Sequence, residues 1–305
     1  MRKIMVMVLV SCAVFNQPLE AQNYYYNNKY YDNDVVLELG VSGGVMNSLT
    51  DIGGNKGIGK KFIKDLRWKT AKPSYGGYIL ATYKNVIGVR LEGTFGEVMG
   101  YDSILKPVAP STFGRYERNL SFKSKISEFQ LAVEIHPLFF KDYDENKSPF
   151  ISPYAIAGFG YFSFDPQAKI NGQWYALEPL HTEGQGFKEY PDRQPYKLNQ
   201  FNIALGMGLK YEINSLFNAR IELVHRILKT DYLDDVSTSY IDPNLFYNYL
   251  TPSQAALAVK LYNRKAELNP GDVTSVGDQR GDPKNNDAYF TIQVKFGMTL
   301  GRKSR

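Results

Sequence analysis

The residues whose types could do chemistry are few: three histidines, one cysteine and a short run of acids. A hydrolytic membrane protein would need a histidine coupled to a carboxylate or a serine near an accessible rim. His181 and His225 fall where they could reach such a rim, and His136 falls at the opposite end of the chain's fold. No spacing ties any of them to a nucleophile, so the simpler reading is a loop or interfacial histidine. The run from Thr230 to Ser237 places Asp231, Asp234 and Asp235 close together. Oxygen-rich clusters can hold a hard cation such as Ca²⁺, which makes these three the metal candidates, but the ligand spacing of a calcium-binding loop is missing. Capping of a strand end and pairing with Arg226 or Lys229 is the structural alternative. No GxxxxGK[ST] phosphate loop occurs, and no residue pattern implies a cofactor.

A larger constellation carries charge at a spacing of two. Glu38, Glu92, Glu128, Glu134, Glu212 and Glu222, with Arg90, Lys210, Arg220, Arg226 and Lys295, sit on alternate positions of segments whose intervening residues are apolar. Alternation of this kind is the mark of a strand with one greasy and one polar face. Six acids against five bases form a near-balanced set, and buried charges need partners. The expected arrangement is a paired network that fills the lumen of a barrel rather than an ion-selective pore.

Positioning those charges takes eight strands, whose connections run long, short, long, short, long, short, long. An outer-membrane β-barrel has this signature, because periplasmic turns stay tight while outward loops can grow. The reading is an all-β fold: an eight-stranded antiparallel transmembrane barrel over residues 34–300, with outer loops at 46–72, 98–120, 165–195 and 229–287. The sixth segment is the most regular, with Phe201, Ile203, Leu205, Met207, Leu209 and Tyr211 against polar or small residues. The second and fifth segments are irregular and leave their faces open. The fourth outer loop is too long to be structureless. Thr251-Pro252-Ser253-Gln254 reads as a capping box with proline at the first helical position, which predicts a surface helix over 252–267.

Composition agrees. Tyr (23) and Phe (18) are abundant while mean hydropathy is only −0.35, which suits strands with alternating faces. After residue 21 nothing approaches the roughly 18 consecutive apolar residues of a spanning helix. Arg2 and Lys3 precede an apolar run from Ile4 to Val14, and Ala21 precedes Gln22, so residues 1–21 read as a cleaved export signal. Leu9-Val10-Ser11-Cys12 is a competing lipoprotein box with Cys12 as the lipidated residue. Cleavage after Ala21 removes the one cysteine together with Arg2, Lys3 and Glu20, leaving 34 bases and 30 acids from the original 36 and 31. Without a thiol the mature chain has no disulfide, and its modest, dispersed charge gives no nucleic-acid footprint. Residues 22–33 read as a periplasmic leader, and 301–305 as a basic tail.

Four stretches resemble the PorG-like outer-membrane barrels of Bacteroidota that accompany type IX secretion: 177–186 (LEPLHTEGQG), 190–214 (YPDRQPYKLNQFNIALGMGLKYEIN), 219–240 (ARIELVHRILKTDYLDDVSTSY) and 279–290 (QRGDPKNNDAYF). The resemblance implies a non-enzymatic component that anchors periplasmic ring proteins of the secretion machinery to the outer membrane. Its partners would be those ring proteins and outer-membrane lipids. Contacts would then come from the periplasmic end: the leader, the basic tail, and above all the turn containing Phe139, Phe140, Lys141 and Tyr143, where paired aromatics flanked by charge look like an interface anchor. Membership of those rings in the aromatic girdle is the equal alternative. A surface-facing binding or adhesin barrel is the competing function, and an outer-membrane hydrolase using His181 or His225 is a third.

Overall fold

The computed structural model describes residues 34–53, 68–112, 114–141, 149–214, 216–272 and 274–300. The export signal, the leader, the basic tail, Tyr143 and part of the first outer loop lie outside the described residues. Eight long strands form the wall: β1 (Val35–Leu49), β2 (Lys72–Tyr83), β3 (Ile87–Tyr101), β4 (Ser121–Ile135), β5 (Ile151–Ser163), β8 (Asn199–Glu212), β9 (Phe217–Leu228) and β10 (Ala288–Leu300). Each pairs antiparallel with its neighbours, and two pairings close the ring: β1 with β10, and β3 with β4. The sheet therefore has no free edge in the wall, so every ladder hydrogen bond is met by protein, as hydrocarbon surroundings require.

Two of the connections at the end near the two termini, β2–β3 and β8–β9, are tight turns. Lys84 and Asn85 both adopt positive φ (48° and 57°), the geometry of a type I′ hairpin turn. Between β8 and β9 the Asn214 side chain accepts hydrogen bonds from the Leu216 and Phe217 backbone N–H groups at 2.9 and 2.8 Å. Side chains facing out are apolar along the middle of every strand. Leu91, Phe129, Phe201, Met207, Ile221 and Phe296 are each about half exposed or more, which in water would be an aggregation hazard and in a bilayer is the lipid contact surface.

The described strands also settle the two irregular segments. β2 turns Tyr75, Ile79 and Tyr83 outward and Tyr78 and Leu80 inward, while β5 turns Ile151, Phe159 and Tyr161 outward and Tyr154, Ile156 and Phe162 inward. β1 and β3 run further than their alternation indicates, to Leu49 and Tyr101, so the wall continues beyond the apolar belt.

Two features of the outer loops depart from the sequence reading. The third loop, 165–195, which the sequence reading left without a strand, contains a hairpin of β6 (Pro166–Ile170) and β7 (Gln173–Ala176) that grows from the top of β4. Its turn is Asn171-Gly172, both at positive φ, and that dipeptide was the available signal. In the fourth loop the helix spans Pro252–Tyr262 rather than 252–267 and is followed by a single 3-10 turn at Lys265–Glu267. The capping box is present, with Gln254 Oε1 accepting from the Thr251 backbone N–H at 3.3 Å and also from its hydroxyl at 2.7 Å. Shorter helices lie at Arg115–Arg118 and Leu245–Tyr249; in chain order the three are α1 (Arg115–Arg118), α2 (Leu245–Tyr249) and α3 (Pro252–Tyr262).

Inside, the barrel is stratified. Its outer half is filled by an apolar stopper that includes Met46, Val98, Phe122, Ile126, Phe162, Leu228 and Tyr289, joined by Ile52, Leu233 and Val236 from the loops. Above it, Leu177, Leu180, Phe187, Tyr240, Phe246, Ala255, Ala258 and Leu261 pack into a second core that makes the third and fourth loops a folded cap. Phe187 and Tyr249 stack with centroids 4.2 Å apart.

Candidate functional site

The lumen below the stopper holds the charged residues. Arg90 lies at its centre, with Nη1 2.7 Å from Glu134 and 2.6 Å from Glu222, and Nε 3.1 Å from Glu92. Lys295 bridges Glu92 and Glu222, the latter at 2.9 Å. Arg220 joins Glu38 at 2.7 Å to Glu134 at 2.9 Å. Lys210 extends the chain from Glu38 at 3.4 Å to Glu212 at 2.9 Å. Nearer the stopper, Arg226 pairs with Glu128 at 3.0 Å. Five acids and four bases are thus linked, Arg226 and Glu128 form a separate pair, and the eleven groups together leave one surplus negative charge. Arg90, Arg220 and Lys295 are shut off from solvent, so each attraction acts in a medium of low polarity and each charge would be costly alone.

Two tyrosines knit this network to the wall. The Tyr78 hydroxyl donates to Glu38 at 2.6 Å and the Tyr154 hydroxyl to Glu222 at 3.0 Å. Both rings flank the Arg220 guanidinium, at 5.6 and 5.2 Å from its carbon, within reach of a cation–π attraction. Glycine makes room for them: a Cβ at Gly40 would stand 2.4 Å from the Tyr78 ring, and one at Gly208 would stand 2.4 Å from Tyr154 Cζ. Gly208→Val is therefore expected to push Tyr154 off Glu222 and to lower barrel stability by about 1–3 kcal/mol, the usual cost of overpacking. A urea unfolding midpoint equal to that of the wild type would show that the ring has somewhere else to go.

The histidines stand apart from one another. His136 closes the periplasmic end of β4, with Nε2 3.3 Å from Glu134 and its ring stacked on Tyr154 at 5.1 Å. His225 lies on the outward face of β9, opposite Phe290 and Leu205 on the neighbouring strands. His181 sits in the cap beside Phe187, where burial lowers its pKa from the ordinary histidine value. The structure gathers no two of them into one site.

Asp231, Asp234 and Asp235 lie under the cap and take different parts. Asp235 accepts from Thr182 and Tyr196, the latter at 2.7 Å. Asp234 accepts from the backbone N–H groups of Ile52 (2.8 Å) and Val236 (3.0 Å). They therefore tie loops to the stopper, and among the described residues no three His, Cys, Asp or Glu side chains are arranged to hold a metal ion. Asp231 is different: it is buried, the Ser237 side chain lies beside it, and no donor is aligned on either carboxylate oxygen. Burial, with the nearby charges of Asp51 and Asp234, pushes its pKa up to about 9. Asp234 is pushed up to about 8 by burial and Asp51, and Asp287 is raised by burial and by both of these aspartates.

Two arginines hold the cap down, and neither is marked by any local pattern of residues. Arg118 makes a two-pronged contact with Asp102, at 2.8 and 2.9 Å. Arg280 joins Glu183 at 2.8 Å and the Asp235 backbone carbonyl at 2.6 Å. Glu183 in turn accepts from the Ser237 and Thr238 backbones at 3.0 and 2.9 Å.

At the opposite end, Phe139 and Phe140 form a single 3-10 turn after β4, followed by exposed Lys141. Phe139 meets the His136 ring edge-on at 6.4 Å. Phe140 is 68% exposed, in the same range as the lipid-facing rings Phe159 and Phe201 of the wall, but it stands beyond the end of β4.

No protein-family model matches the chain, and no curated protein matches it. Among solved structures it is similar to Ail, the attachment invasion locus protein of Yersinia pestis, solved with the heparin analogue sucrose octasulfate (9% identity, 87% of this chain and 97% of that chain, TM-score 0.35). It is also similar to the outer membrane protein OprG of Pseudomonas aeruginosa (11% identity, 89% and 98%, TM-score 0.35) and to Neisserial surface protein A (7% identity, 87% and 97%, TM-score 0.34). The strand pairing itself establishes the architecture: the chain is a closed eight-stranded β-barrel of the outer-membrane type.

Proposed function

We propose that this protein is a non-conducting outer-membrane barrel that anchors periplasmic ring proteins of a type IX secretion apparatus. The observation that carries the reading is a lumen filled twice over, by ion pairs below and by the apolar stopper above, combined with an exposed phenylalanine, Phe140, on the periplasmic rim. A filled lumen leaves the barrel's rims as its working surfaces. The sequence resemblance in 177–186, 190–214, 219–240 and 279–290 supports the periplasmic ring as the class of partner. An aromatic side chain bordered by charge is the residue type that dominates protein interfaces.

Replacing Phe140 by a photo-crosslinking amino acid in intact cells is expected to capture a periplasmic subunit of the secretion ring, and Phe139→Ala with Phe140→Ala to cut that yield at least about fivefold, since one buried aromatic anchor is worth roughly 1–2 kcal/mol or more. Recovery of lipid adducts only, with unchanged secretion after deletion of the protein, would end the reading. The folded cap favours one alternative, a surface-facing binding barrel. In that case removing residues 229–287 would abolish surface binding and leave secretion intact.

A further inference from the structure

The outward face of the wall carries almost no charge, and what it carries is gathered in one sector. Of the residues that the eight wall strands turn outward, the ionic ones are Glu97 on β3 and Lys123 and Lys125 on β4. The β6–β7 hairpin continues the same face with Lys169 and Trp174, which are paired across the strands. Lys123 Nζ lies 4.3 Å from the Trp174 ring centroid and Lys169 Nζ 5.8 Å from it, so the three side chains form one cluster, with Lys125 two residues below Lys123. None of the three lysines takes part in an ion pair among the described residues. Glu97 faces Lys125 across the strands without closing to 4 Å, and Asp165 is engaged by the Gln167 side-chain amide.

The height of this cluster is the telling quantity. Outward positions on β4 run from Ile135 at the periplasmic end through Val133, Leu131 and Phe129 to Lys125. Ten residues at about 3.3 Å each, on strands tilted by about 40°, rise about 25 Å, which is the height of the apolar band of such barrels. Lys125 therefore stands at the outer polar boundary, with Lys123 and Lys169 about 5 and 10 Å above it by the same rise. Lysines are expensive in hydrocarbon and gain nothing there. At the boundary their stems lie on apolar surface while the ammonium groups reach phosphate.

We propose that Lys123, Lys125 and Lys169, with Trp174 as their backing, form a binding site for the phosphate groups of an outer-leaflet glycolipid. The inference rests on the barrel's placement in the outer membrane and not on its role in secretion. Charge complementarity selects the occupant: three cations without an ion-pair partner among the described residues, spread over about 10 Å above the apolar boundary on a wall whose one other outward charge is Glu97, match a lipid whose headgroup carries two phosphates.

The test uses the full mature chain in a neutral detergent, titrated with bisphosphorylated lipid A and, separately, with the same lipid after removal of its phosphates. Retained lipid is counted by native mass spectrometry. The phosphorylated lipid is expected to bind at least about tenfold better. Lys123→Gln, Lys125→Gln and Lys169→Gln together are expected to weaken it by about 10- to 100-fold, the scale of three juxtamembrane cations. Lys84→Gln at the opposite rim should leave it unchanged, and Lys125→Glu alone should weaken it if the triple variant folds poorly. Equal binding of the phosphate-free lipid, or wild-type binding by both lysine variants, overturns the proposal. Displacement by excess inorganic phosphate also overturns it, because the site would then be one for free anion. Secretion assays read none of these outcomes.

Discussion

Arg90→Leu is expected to be the most damaging single substitution in the wall, lowering unfolding free energy by about 3–5 kcal/mol, the usual cost of removing one partner from a buried ionic set. Arg90 touches Glu92, Glu134 and Glu222 at once. Its loss takes the lumen from one surplus negative charge to two and strips those carboxylates of their shared cation. Glu134 would keep Arg220 at 2.9 Å and Glu222 would keep Lys295 at 2.9 Å, so the barrel should still close, with a lower urea midpoint and faster loss of its gel-shifted folded form. Adding Glu222→Gln should restore part of the loss, because the second change removes the charge that the first left unbalanced. The two substitutions share a contact, so their effects should be non-additive by about 1–3 kcal/mol. Strict additivity would mean that the ion pairs act independently and that the lumen is a set of separate bridges.

That network also shows what kind of information the chain displays locally. Period-two alternation is visible wherever the outward face is greasy and the inward face charged, as along β8 and β9, because the bilayer and the lumen impose opposite demands on adjacent residues. β2 and β5 hide their faces for a physical reason. Tyr78, Tyr154 and Phe162 are large rings turned inward, two of them folded over glycines on neighbouring strands and the third part of the stopper. An apolar inner face looks like an apolar outer face in one dimension. The stopper as a whole was illegible on the same ground, since Phe122, Ile126 and Met46 occupy inward positions that the alternation rule assigns to polar residues.

The cap was harder still. Its core takes Leu177 and Phe187 from one loop and Tyr240, Phe246 and Leu261 from another, and irregular segments meeting at long range carry no period. Only its local signals could be read: the capping box at Thr251, and the Asn171-Gly172 turn, which the polar composition of that loop obscured. Arg118 and Arg280 look like surface residues in the sequence and are buried anchors in the fold. In the candidate sites, the same limit applies to Asp231, whose isolation depends on where Asp51, Asp234 and Asp287 arrive.

Raising the pH from 6 to 9 is expected to loosen the cap while leaving the barrel intact, and Asp231→Asn is expected to remove much of that sensitivity. The sign follows from proton counting. An aspartate whose pKa is near 3.8 in the open loop and about 9 in the closed cap binds more protons when the cap is closed. Closure is therefore favoured fully below pH 3.8, and that contribution declines as pH rises toward 9. Asp234, pushed up to about 8, and Asp287, also raised, act in the same direction. Asparagine keeps the size of Asp231 and cannot ionise, so it should stabilise the closed cap at pH 9 by roughly 2 kcal/mol, the scale of a buried polar group left without its partner. That corresponds to about a 30-fold change in the open population. Limited proteolysis within residues 229–287 reads it: wild-type cleavage should accelerate at least about tenfold from pH 6 to pH 9, and the variant's should accelerate less, by the part that Asp234 and Asp287 still contribute. If both chains show the same acceleration, the titrating groups lie elsewhere and Asp231 is stabilised in the closed cap by a partner that this arrangement of side chains does not reveal.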